Sequence, residues 1–436
     1  MPTSTQSESE RSRAAGQTSS RKGLFVDLRP LKSPDYRRLW LGGALSGVGS
    51  TITSTAVPIQ TYDLTHSSLA VGLLGLATGM PIILLGLFGG ALADRVDRRK
   101  LVLASSFCLM FLSLILALQS LLKLNALWLL YVLVALQSCI VSVSAPASRA
   151  MTPGLVPKDQ IGAASALSQL SFQNSLLLGP LLAGTIVATV GLQAAYSTDA
   201  VTFIFALYAV LRLPAMPAKA RSSPPGIRAV IEGLRFLRKQ PVLTTVLLVD
   251  LNAMIFGMPR ALFPALAVTH FGGGAETVGM LYAAPALGGI VGGILSGPLT
   301  RVTKQGLAVL VAAGVWGLAC AAFALASYLW LSVFLLAIAG IADMATGVFR
   351  RTILQENSPD SLRGRINSVG IVVGVGAPRL GDVEAGVVAH FTSPVFSAFT
   401  GGLACVVAVL YLALAFPSFT RYNARARDNS TETAFA

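Results

Sequence analysis

Residues 101–122 decide the fold of this chain: they read LVLASSFCLMFLSLILALQSLL and contain no Asp, Glu, Lys, Arg or His. Residues 124–148, which read LNALWLLYVLVALQSCIVSVSAPAS, and residues 160–190 are equally free of these side chains. The hydrocarbon core of a bilayer is about 30 Å thick, and a helix needs roughly 20 apolar residues to cross it. Each of the three stretches is therefore long enough to span a membrane as a single helix.

The composition of the whole chain agrees with these stretches. Of 436 residues, 54% are hydrophobic and 12% are charged, and the mean hydropathy is +0.69, whereas a soluble domain is roughly 25% charged. A water-soluble body of this size is excluded. The sequence predicts an all-α membrane protein with twelve transmembrane helices in two six-helix bundles. The predicted spans are 38–62, 68–93, 101–122, 126–148, 162–188, 193–212, 242–268, 276–298, 306–327, 329–350, 366–390 and 394–416.

The basic residues indicate the orientation of these spans. The net charge of +14 and the pI near 10.1 would suit a nucleic-acid-binding protein, but the placement of the charges argues against one. With a cytoplasmic N-terminus, 30 of the 33 Lys and Arg residues fall on the cytoplasmic side. Only Lys123 falls in an outside loop, and Arg260 and Arg379 fall within spans. This asymmetry follows the positive-inside rule, so we expect both termini in the cytoplasm and no nucleic-acid partner.

The side chains that would support catalysis or cofactor binding are scattered. The four cysteines lie within apolar spans and the three histidines are dispersed near the predicted outer ends, so we expect neither a disulfide framework nor a metal site. The chain has no G-x-x-x-x-G-K-[ST] motif for nucleotide phosphates. No His cluster or nucleophile–base pair suggests a membrane-embedded enzyme. We expect no cofactor and no enzymatic activity.

The polar segments divide the chain into five parts. We expect residues 1–32 to form a disordered cytoplasmic tail, 33–213 and 241–416 to form the two bundles, and 417–436 to form a second cytoplasmic tail. Residues 214–240 would be a cytoplasmic linker, in which apolar and basic residues alternate as in an amphipathic helix on the inner leaflet. A shift of 207 residues places VGLL (71–74) on VGML (278–281). This match favours a duplicated six-helix unit.

The turn between spans 2 and 3 carries the strongest local motif, GALADRVDRRK at residues 90–100. Gly90 allows two helices to approach closely, Asp94 can accept hydrogen bonds from the start of a neighbouring helix, and Arg95 and Arg98 hold the turn at the inner surface. The motif resembles G-x-L-x-D-R-x-G-R-[RK] of the major facilitator superfamily, with Asp97 in place of the second glycine. The resemblance implies that Gly90, Asp94, Arg95 and Arg98 form a conformational latch.

Two glycine patterns and four longer stretches add to this resemblance. Gly179-Pro180 in span 5 resembles the kink motif of proton-coupled exporters of the superfamily, whereas the repeat of Gly289, Gly293 and Gly297 predicts helix packing. Four stretches are similar to the branch of the superfamily that exports enterobactin: VPIQ (57–60), GMPRALFPALA (257–267), LYAAP (281–285) and GRIN (364–367). The similarity covers nearly the whole chain outside the tails. It implies efflux of catecholate siderophores or related compounds, although the same branch contains drug exporters.

Charged residues inside the spans are the candidate functional residues. A charge at the bilayer centre costs at least about 2.5–3.5 kcal/mol on insertion scales, so it faces a cavity or a partner. Asp250 lies near the midplane of span 7 and is the primary candidate for proton coupling. Arg260 is about 15 Å further along a straight helix, so we expect a partner from another span, with Arg379 as the leading candidate. The remaining candidates for coupling or cavity lining are Asn252, Arg260, Arg379, Asp382 and Glu384.

Two of these candidates, and two further acids, have structural interpretations as well. Arg379 and Asp382 are i,i+3 neighbours that can pair with each other. Asp199 and Asp343 also fall within spans, and we interpret them as members of structural ion pairs.

These features together predict a secondary transporter of the bacterial cytoplasmic membrane that exports a small molecule. We expect proton antiport with alternating access between two bundles and a monomer in the lipid bilayer. A siderophore is the expected substrate, and a multidrug or antibiotic exporter of the same superfamily is the alternative. An importer stays open because spacing does not encode direction. A channel is disfavoured by the duplicated halves and the latch motif.

Overall fold

The computed structural model describes residues 27–217, 227–238, 240–358 and 363–423, and the side chains of residues 86–95 lie outside that description. All regular secondary structure in these ranges is helical. The first six long helices are α1 (Pro34–Thr65), α2 (Ser68–Arg95), α3 (Arg98–Leu121), α4 (Leu127–Met151), α5 (Ile161–Thr189) and α6 (Leu192–Leu211). They are followed by α7 (Ile227–Leu237), α8 (Pro241–Phe256), α9 (Phe263–Thr269), α10 (Ala275–Ile294), α11 (Gln305–Leu325), α12 (Leu329–Asn357), α13 (Arg363–Phe391), α14 (Pro394–Ala415) and the short α15 (Pro417–Thr420).

Ten of the helices in the described ranges are long and apolar enough to cross a membrane. Helices α1 and α13, with 32 and 29 residues, are also long, but they carry more polar side chains than these ten helices. Both pack among the other helices, α1 against α5 and α6, and α13 against α2 and α8. A polar helix can cross a bilayer where its polar groups face protein or a water-filled cavity rather than lipid. The protein is an all-α membrane protein, and its total of twelve spans stays a prediction.

The helices pair in a pattern that occurs twice. In the first half α1 packs against α5 and α6, α2 against α4, and α3 against α4 and α6. In the second half α8 packs against α13 and α14, α10 against α12, and α11 against α12 and α14. Each pairing in one half has its counterpart in the other, as expected for a duplicated six-helix unit. We refer to α1–α6 as the N-terminal bundle and to α8–α14 as the C-terminal bundle.

Each bundle has its own hydrophobic core, and two helix pairs join the bundles. Ile52, Leu116 and Leu130 are buried in a cluster of the N-terminal bundle, and Leu243 and Val309 are buried in a cluster of the C-terminal bundle. Across the interface α2 packs against α13 and α5 packs against α10. The start of α1, the 96–97 turn and α7 lie on one side of the molecule, which we call the basic side. The turns 66–67, 122–126 and 271–274 lie on the other side, which we call the opposite side.

The predicted span at 242–268 is wrong in one respect, because it is not one continuous helix. Helix α8 ends at Phe256, residues 260–262 form a 3-10 turn, and α9 begins at Phe263. Pro259 has no N–H to donate to a preceding helical turn, and Gly257 ends α8 as its C-cap residue. The chain is therefore interrupted at Arg260.

A second difference lies at the end of α12, which runs to Asn357 rather than to the predicted residue 350. Arg350, the last residue of the predicted span, therefore lies two turns before the end of the helix.

The segments outside the bundles are partly described. Residues Arg29–Lys32, which fall in the predicted tail, form a 3-10 turn with Pro30 buried, and residues 1–26 of that tail lie outside the described residues. Ser33 caps α1 and donates its hydroxyl to the Leu155 carbonyl at 3.0 Å. The predicted amphipathic helix is present as α7, which packs against α13. On α7 Leu237 is buried whereas Ile231 and Leu234 are exposed.

Candidate functional site

Two close helix contacts hold the bundles together on the opposite side. A Cβ atom added at Gly72 of α2 would lie 2.5 Å from the Asp382 carbonyl oxygen of α13, and one added at Gly75 would lie 2.8 Å from the Arg379 carbonyl oxygen. At the other contact, a Cβ added at Gly184 of α5 would lie 2.7 Å from the Ala275 carbonyl oxygen of α10. We call these contacts the two glycine seams. They bring backbone against backbone, which a side chain at any of the three glycines would prevent.

Toward the basic side, the same helices contact the other bundle less closely. Cβ atoms added at Gly293 of α10, or at Gly370 and Gly374 of α13, would meet no heavy atom within 4 Å. In the described residues, contact of backbone with backbone between the bundles is therefore concentrated on the opposite side. At these three glycines the described residues show no close contact between the bundles toward the basic side.

Asp250 forms an ion pair with Arg350 across the C-terminal bundle. The Asp250 side chain is 4% exposed and that of Arg350 is 25% exposed, so the acid is enclosed while the base is partly exposed. The expectation that Arg379 is the partner of Asp250 is wrong. Arg350 takes that place because α12 continues beyond residue 350 and keeps this side chain on a rigid helix beside α8.

Asp343 extends this pair toward the middle of α12. It precedes Arg350 by seven residues, about two helical turns, so the two side chains share one face of the helix. Asp343 interacts electrostatically with Arg350, Asp250 and Arg260. Its side chain is exposed. A charged side chain in the middle of a transmembrane helix is stable only when it faces protein or water, so Asp343 lines the space between the bundles.

Arg379 and Asp382 of α13 are two further charged residues, and they lie nearer the opposite side. Their side chains pair at 3.6 Å, which confirms the predicted i,i+3 pair on α13. Arg260 interacts electrostatically with both of them and with Asp343. Its backbone carbonyl accepts a hydrogen bond of 3.0 Å from the Tyr282 hydroxyl, which holds the interrupted segment against α10.

These residues form a group of charges of both signs, in which Asp250–Arg350 and Arg379–Asp382 are ion pairs and Asp343 and Arg260 interact electrostatically with them. We call it the charge chain, and its members are Asp250, Arg350, Asp343, Arg260, Asp382 and Arg379. Three acids and three arginines balance in charge, as a group inside a membrane protein requires. The removal or neutralisation of one acid leaves an arginine without its partner. The balance is therefore sensitive to a single proton or to a single bound anion.

Two predicted cavity residues lie apart from the charge chain. Asn252 is buried and donates through Nδ2 to the Cys405 carbonyl at 3.0 Å, so it ties α8 to α14 within the bundle. Glu384 is half-buried and joins none of the ion pairs among the described residues. The structure thus brings together Asp250, Arg260, Arg379 and Asp382 from the predicted set, but not Asn252 or Glu384.

The latch turn is anchored through its described arginines. Arg98 donates to the Ala150 carbonyl at the end of α4 at 3.3 Å. Arg99 donates to the Leu211 carbonyl at the end of α6 at 2.7 Å. Carbonyls at a helix C-terminus have no partner within the helix and attract cations. Asp97, which replaces the expected glycine, caps α3 by accepting from the Lys100 N–H. The side chains at Gly90, Asp94 and Arg95 lie outside the described residues.

The predicted Gly179-Pro180 motif lies where α5 meets α1. A Cβ added at Gly179 would overlap the Thr51 side chain, and the Thr51 hydroxyl donates to the Ser175 carbonyl at 2.8 Å. Helix α5 runs through Pro180 without interruption. The motif therefore provides close packing between two helices of the N-terminal bundle.

The predicted packing stripe on α10 is wrong. Gly289 faces the Gln173 amide, a Cβ at Gly293 would meet nothing within 4 Å, and Gly297 lies beyond the end of α10. The glycines of α10 that meet neighbouring backbone are Gly279, Gly288 and Gly292. Gly279 meets α5 whereas Gly288 and Gly292 meet α12, so these glycines lie on two different faces of the helix.

Arg350 is missing from the predicted site residues, because it was counted among the cytoplasmic basic residues at the end of the predicted span 329–350. The available signal was the seven-residue spacing from Asp343, which places both side chains on one helix face. The prediction that Asp199 belongs to an ion pair is wrong. Asp199 accepts hydrogen bonds from the hydroxyls of Thr53 at 2.7 Å and Ser113 at 2.8 Å instead.

Comparison with known proteins agrees with this architecture. Residues 26–435 match the family of transmembrane secretion effectors, MFS_3. The enterobactin exporter EntS of Citrobacter koseri is 30% identical over 406 residues, which are 92% of this chain and 97% of that protein.

Two solved structures share the fold at low sequence identity. A POT family transporter in complex with 5-aminolevulinic acid superposes with a TM-score of 0.72 at 11% identity, over 89% of this chain and 97% of that one. A bacterial homologue of the human lysosomal transporter Spinster gives a TM-score of 0.65 at 18% identity, over 91% and 98% of the two chains. This chain therefore belongs to the major facilitator superfamily of membrane transporters, in the family of transmembrane secretion effectors.

Proposed function

We propose that this protein is a secondary active transporter of the bacterial cytoplasmic membrane that exports a catecholate siderophore, or a related small molecule, by proton antiport. The relatives named enterobactin exporters are similar to it over nearly their whole length. The basic side faces the cytoplasm in this proposal, because Lys and Arg accumulate on the cytoplasmic side of bacterial membrane proteins. The space between the bundles would then be open to the cytoplasm, where an exporter takes up its substrate.

The observation that carries this proposal is the ion pair between Asp250 and Arg350. The carboxylate is enclosed, and its charge is compensated by an arginine that is partly exposed. Burial disfavours the charged form of a carboxylate unless a cation stays beside it. A proton on Asp250 would therefore release Arg350, and loss of that proton would draw Arg350 back. Protonation of Asp250 thus controls whether the positive charge of Arg350 is free to bind an anion.

The same arginines suit an anionic substrate. The Arg379 side chain is 41% exposed, and a guanidinium presents a fixed fork of donors to paired oxygen acceptors. The two oxygens of a catecholate are such acceptors. A substrate that binds an arginine of the charge chain competes with the acid beside it, so the binding of substrate and the protonation of that acid depend on each other. This competition links one proton to one substrate without a nucleotide.

Alternating access would use the two glycine seams. In the conformer described here the seams close the opposite side, and export requires a second conformer in which they separate while the basic side closes. Rocking of two rigid bundles about a central site is the usual way for duplicated transporters to alternate. Both bundles retain their own hydrophobic cores, so each can move as one body.

The test is uptake into everted membrane vesicles with an acidic interior. Candidate catecholate siderophores and drugs are offered outside, on the face that was cytoplasmic. We expect one of the siderophores to accumulate, and accumulation to require the pH gradient. Uptake of drugs alone would favour the multidrug exporter, and substrate loss from preloaded vesicles under the same gradient would indicate an importer.

Variants of the acids then identify the proton carrier. We expect Asp250→Asn to abolish gradient-driven uptake while the purified variant still binds substrate in detergent. Asp159→Asn is the matched control, because Asp159 is an exposed acid on the basic side, and it should transport like the wild type. If Asp250→Asn retains pH-dependent uptake while Asp382→Asn or Glu384→Gln abolishes it, the carrier lies on α13.

A further inference from the structure

Asp199 is an acid enclosed in the N-terminal bundle, far from the charge chain in the sequence and on a different bundle. It is 1% exposed. One carboxyl oxygen, Oδ2, accepts from the Thr53 hydroxyl at 2.7 Å and from the Ser113 hydroxyl at 2.8 Å. The other oxygen, Oδ1, is buried and has no hydrogen-bond partner among the residues that the structure describes. Asp199 therefore differs from Asp250, whose charge an arginine compensates.

The groups around Asp199 are neutral on every helix that packs against it, within the described residues. Helix α1 presents Thr53 and Gly49, α3 presents Ser113, and α4 presents Gln137, whose amide donates to the Ser113 oxygen at 3.4 Å. On α6 itself, the titratable side chain one turn away is Tyr196, which donates to Gln60 at 2.7 Å.

An ionised carboxylate without a cation beside it is costly in such surroundings. A bound proton removes the charge. Gly49 lies against Oδ1, where an added Cβ would come within 2.7 Å, so the absence of a side chain there leaves space for a hydrogen on this oxygen.

A crevice of about 260 Å³ leads toward Asp199 from the basic side. It lies among α1, α3, α4 and α6 and is lined by five serines, which are Ser46, Ser50, Ser106, Ser144 and Ser148. Serine hydroxyls both donate and accept hydrogen bonds, so a crevice of this size with these walls can hold several waters.

On three helices, the residues that line the crevice are spaced so that they share a helix face with Asp199 or with one of its two hydroxyl partners. On α6 the lining residues Phe203 and Ala206 follow Asp199 by four and seven positions, on the same helix face. On α1 Ser50 and Ser46 precede Thr53 by three and seven positions. On α3 Ser106 precedes Ser113 by seven. All three helices place these residues between Asp199 and the basic side, starting about 6 Å from Asp199 on α6.

The opposite side of Asp199 is sealed. Gln60 and Gln119 exchange hydrogen bonds there, with Gln119 Nε2 donating to Gln60 Oε1 at 3.0 Å, and Tyr196 donates to the same oxygen. All three side chains are buried, and Leu116 and Leu130 pack around them in the apolar core of this bundle. The crevice on the basic side is therefore the shorter path to Asp199 in this conformer.

We propose that Asp199 is a second proton-binding site, which binds its proton in the N-terminal bundle and exchanges it with the basic side through the serine-lined crevice. A proton from water in the crevice adds to Oδ1, and the reverse step returns it to water, so no other reactant is needed. The site stands independently of the proposed export, because its occupancy needs no substrate. Within a transport cycle it would give the N-terminal bundle its own proton, in addition to the one on the charge chain.

The test is infrared difference spectroscopy of the purified full-length protein without substrate. We expect a carboxylic acid C=O band at neutral pH that is absent from Asp199→Asn and disappears when the pH is raised. The band should respond to transfer into D₂O, and Ser106→Leu should slow that response at least about tenfold by filling the crevice. Ala104→Leu is the matched control, because Ala104 is exposed on the same helix and should leave the rate unchanged.

Ser113→Ala tests the same assignment without removal of the acid. It deletes one of the two hydroxyls on Oδ2, and we expect the same band to shift in frequency while the protein stays folded. The proposal is overturned if the wild type shows no band that Asp199→Asn removes and Ser113→Ala shifts. It is also overturned if the band vanishes on addition of sodium at constant pH, because the site then binds a metal cation. Equal exchange rates in Ser106→Leu and Ala104→Leu would overturn the crevice as the route.

Discussion

Substitution of Gly279 by alanine tests whether the glycine seams select the conformer that is closed on the opposite side. In this conformer a Cβ at position 279 of α10 would overlap the Pro180 carbonyl oxygen of α5 and would lie 3.2 Å from the Gly184 Cα atom. These are backbone atoms of a helix, which cannot rotate away as a side chain can. The added methyl group therefore forces α5 and α10 apart.

The magnitude follows from the cost of overpacking. The insertion of a methyl group into a tightly packed contact costs about 1–3 kcal/mol. Alanine also favours the helix over glycine by about 1 kcal/mol, but this gain is the same in both conformers and cancels. Since about 1.4 kcal/mol corresponds to tenfold in an equilibrium constant, the ratio of conformers should shift by about 5- to 150-fold. The shift favours the conformer in which the opposite side is open.

The assay is the distance between two spin labels on the opposite side, one on each bundle. Lys123 and Tyr328 are exposed there, and both can be replaced by cysteine in a background without the native cysteines. We expect Gly279→Ala to raise the population with the longer distance. Gly293→Ala is the control on the same helix, because its Cβ would meet nothing within 4 Å. Equal distance distributions in Gly279→Ala and the wild type would refute the role of the seam.

Three further predictions concern the basic side. A cysteine at Arg221 should resist membrane-impermeant thiol reagents in intact cells, because the positive-inside rule keeps the 214–240 segment in the cytoplasm; ready labelling would reverse the orientation. Asp94→Asn should slow transport more than it lowers expression, since loss of the charge weakens the latch, and a wild-type rate would contradict that role. Arg99→Ala should lower the free energy of unfolding in detergent by about 1 kcal/mol, because Arg99 bonds carbonyls at the end of α6. Lys100→Ala, at an exposed neighbour, should leave the free energy unchanged and serves as its control.

The spans could be predicted closely because each depends on a local property, the length of a run of residues that avoids water. The predicted span 193–212 is observed as Leu192–Leu211, and the predicted span 394–416 as Pro394–Ala415. The prediction failed where a run of apolar residues contained a local interruption. The segment 242–268 is hydrophobic throughout, so hydropathy alone does not reveal that Gly257 and Pro259 end the helix there.

The candidate site was predictable in composition but not in its pairings. The sequence identified Asp250, Arg260, Arg379 and Asp382 as costly charges in apolar surroundings, and the structure brings all four into the charge chain. The i,i+3 pair of Arg379 and Asp382 was predictable because both residues lie on one helix. The partner of Asp250 was not, because it depends on which face α12 presents to α8.

By itself the sequence determined the membrane class, the approximate positions of most helices, the side that carries the basic residues and the resemblance to the superfamily. Each of these depends on residues close together in the chain, where hydropathy, capping and helical spacing act. Only the tertiary structure decided that Arg350 pairs with Asp250, that Asp199 has hydroxyl partners instead of a cation, and that the seams close one side. These contacts join helices that are far apart in sequence. They depend on how each helix is rotated and placed against its neighbours, which no local pattern of residues records.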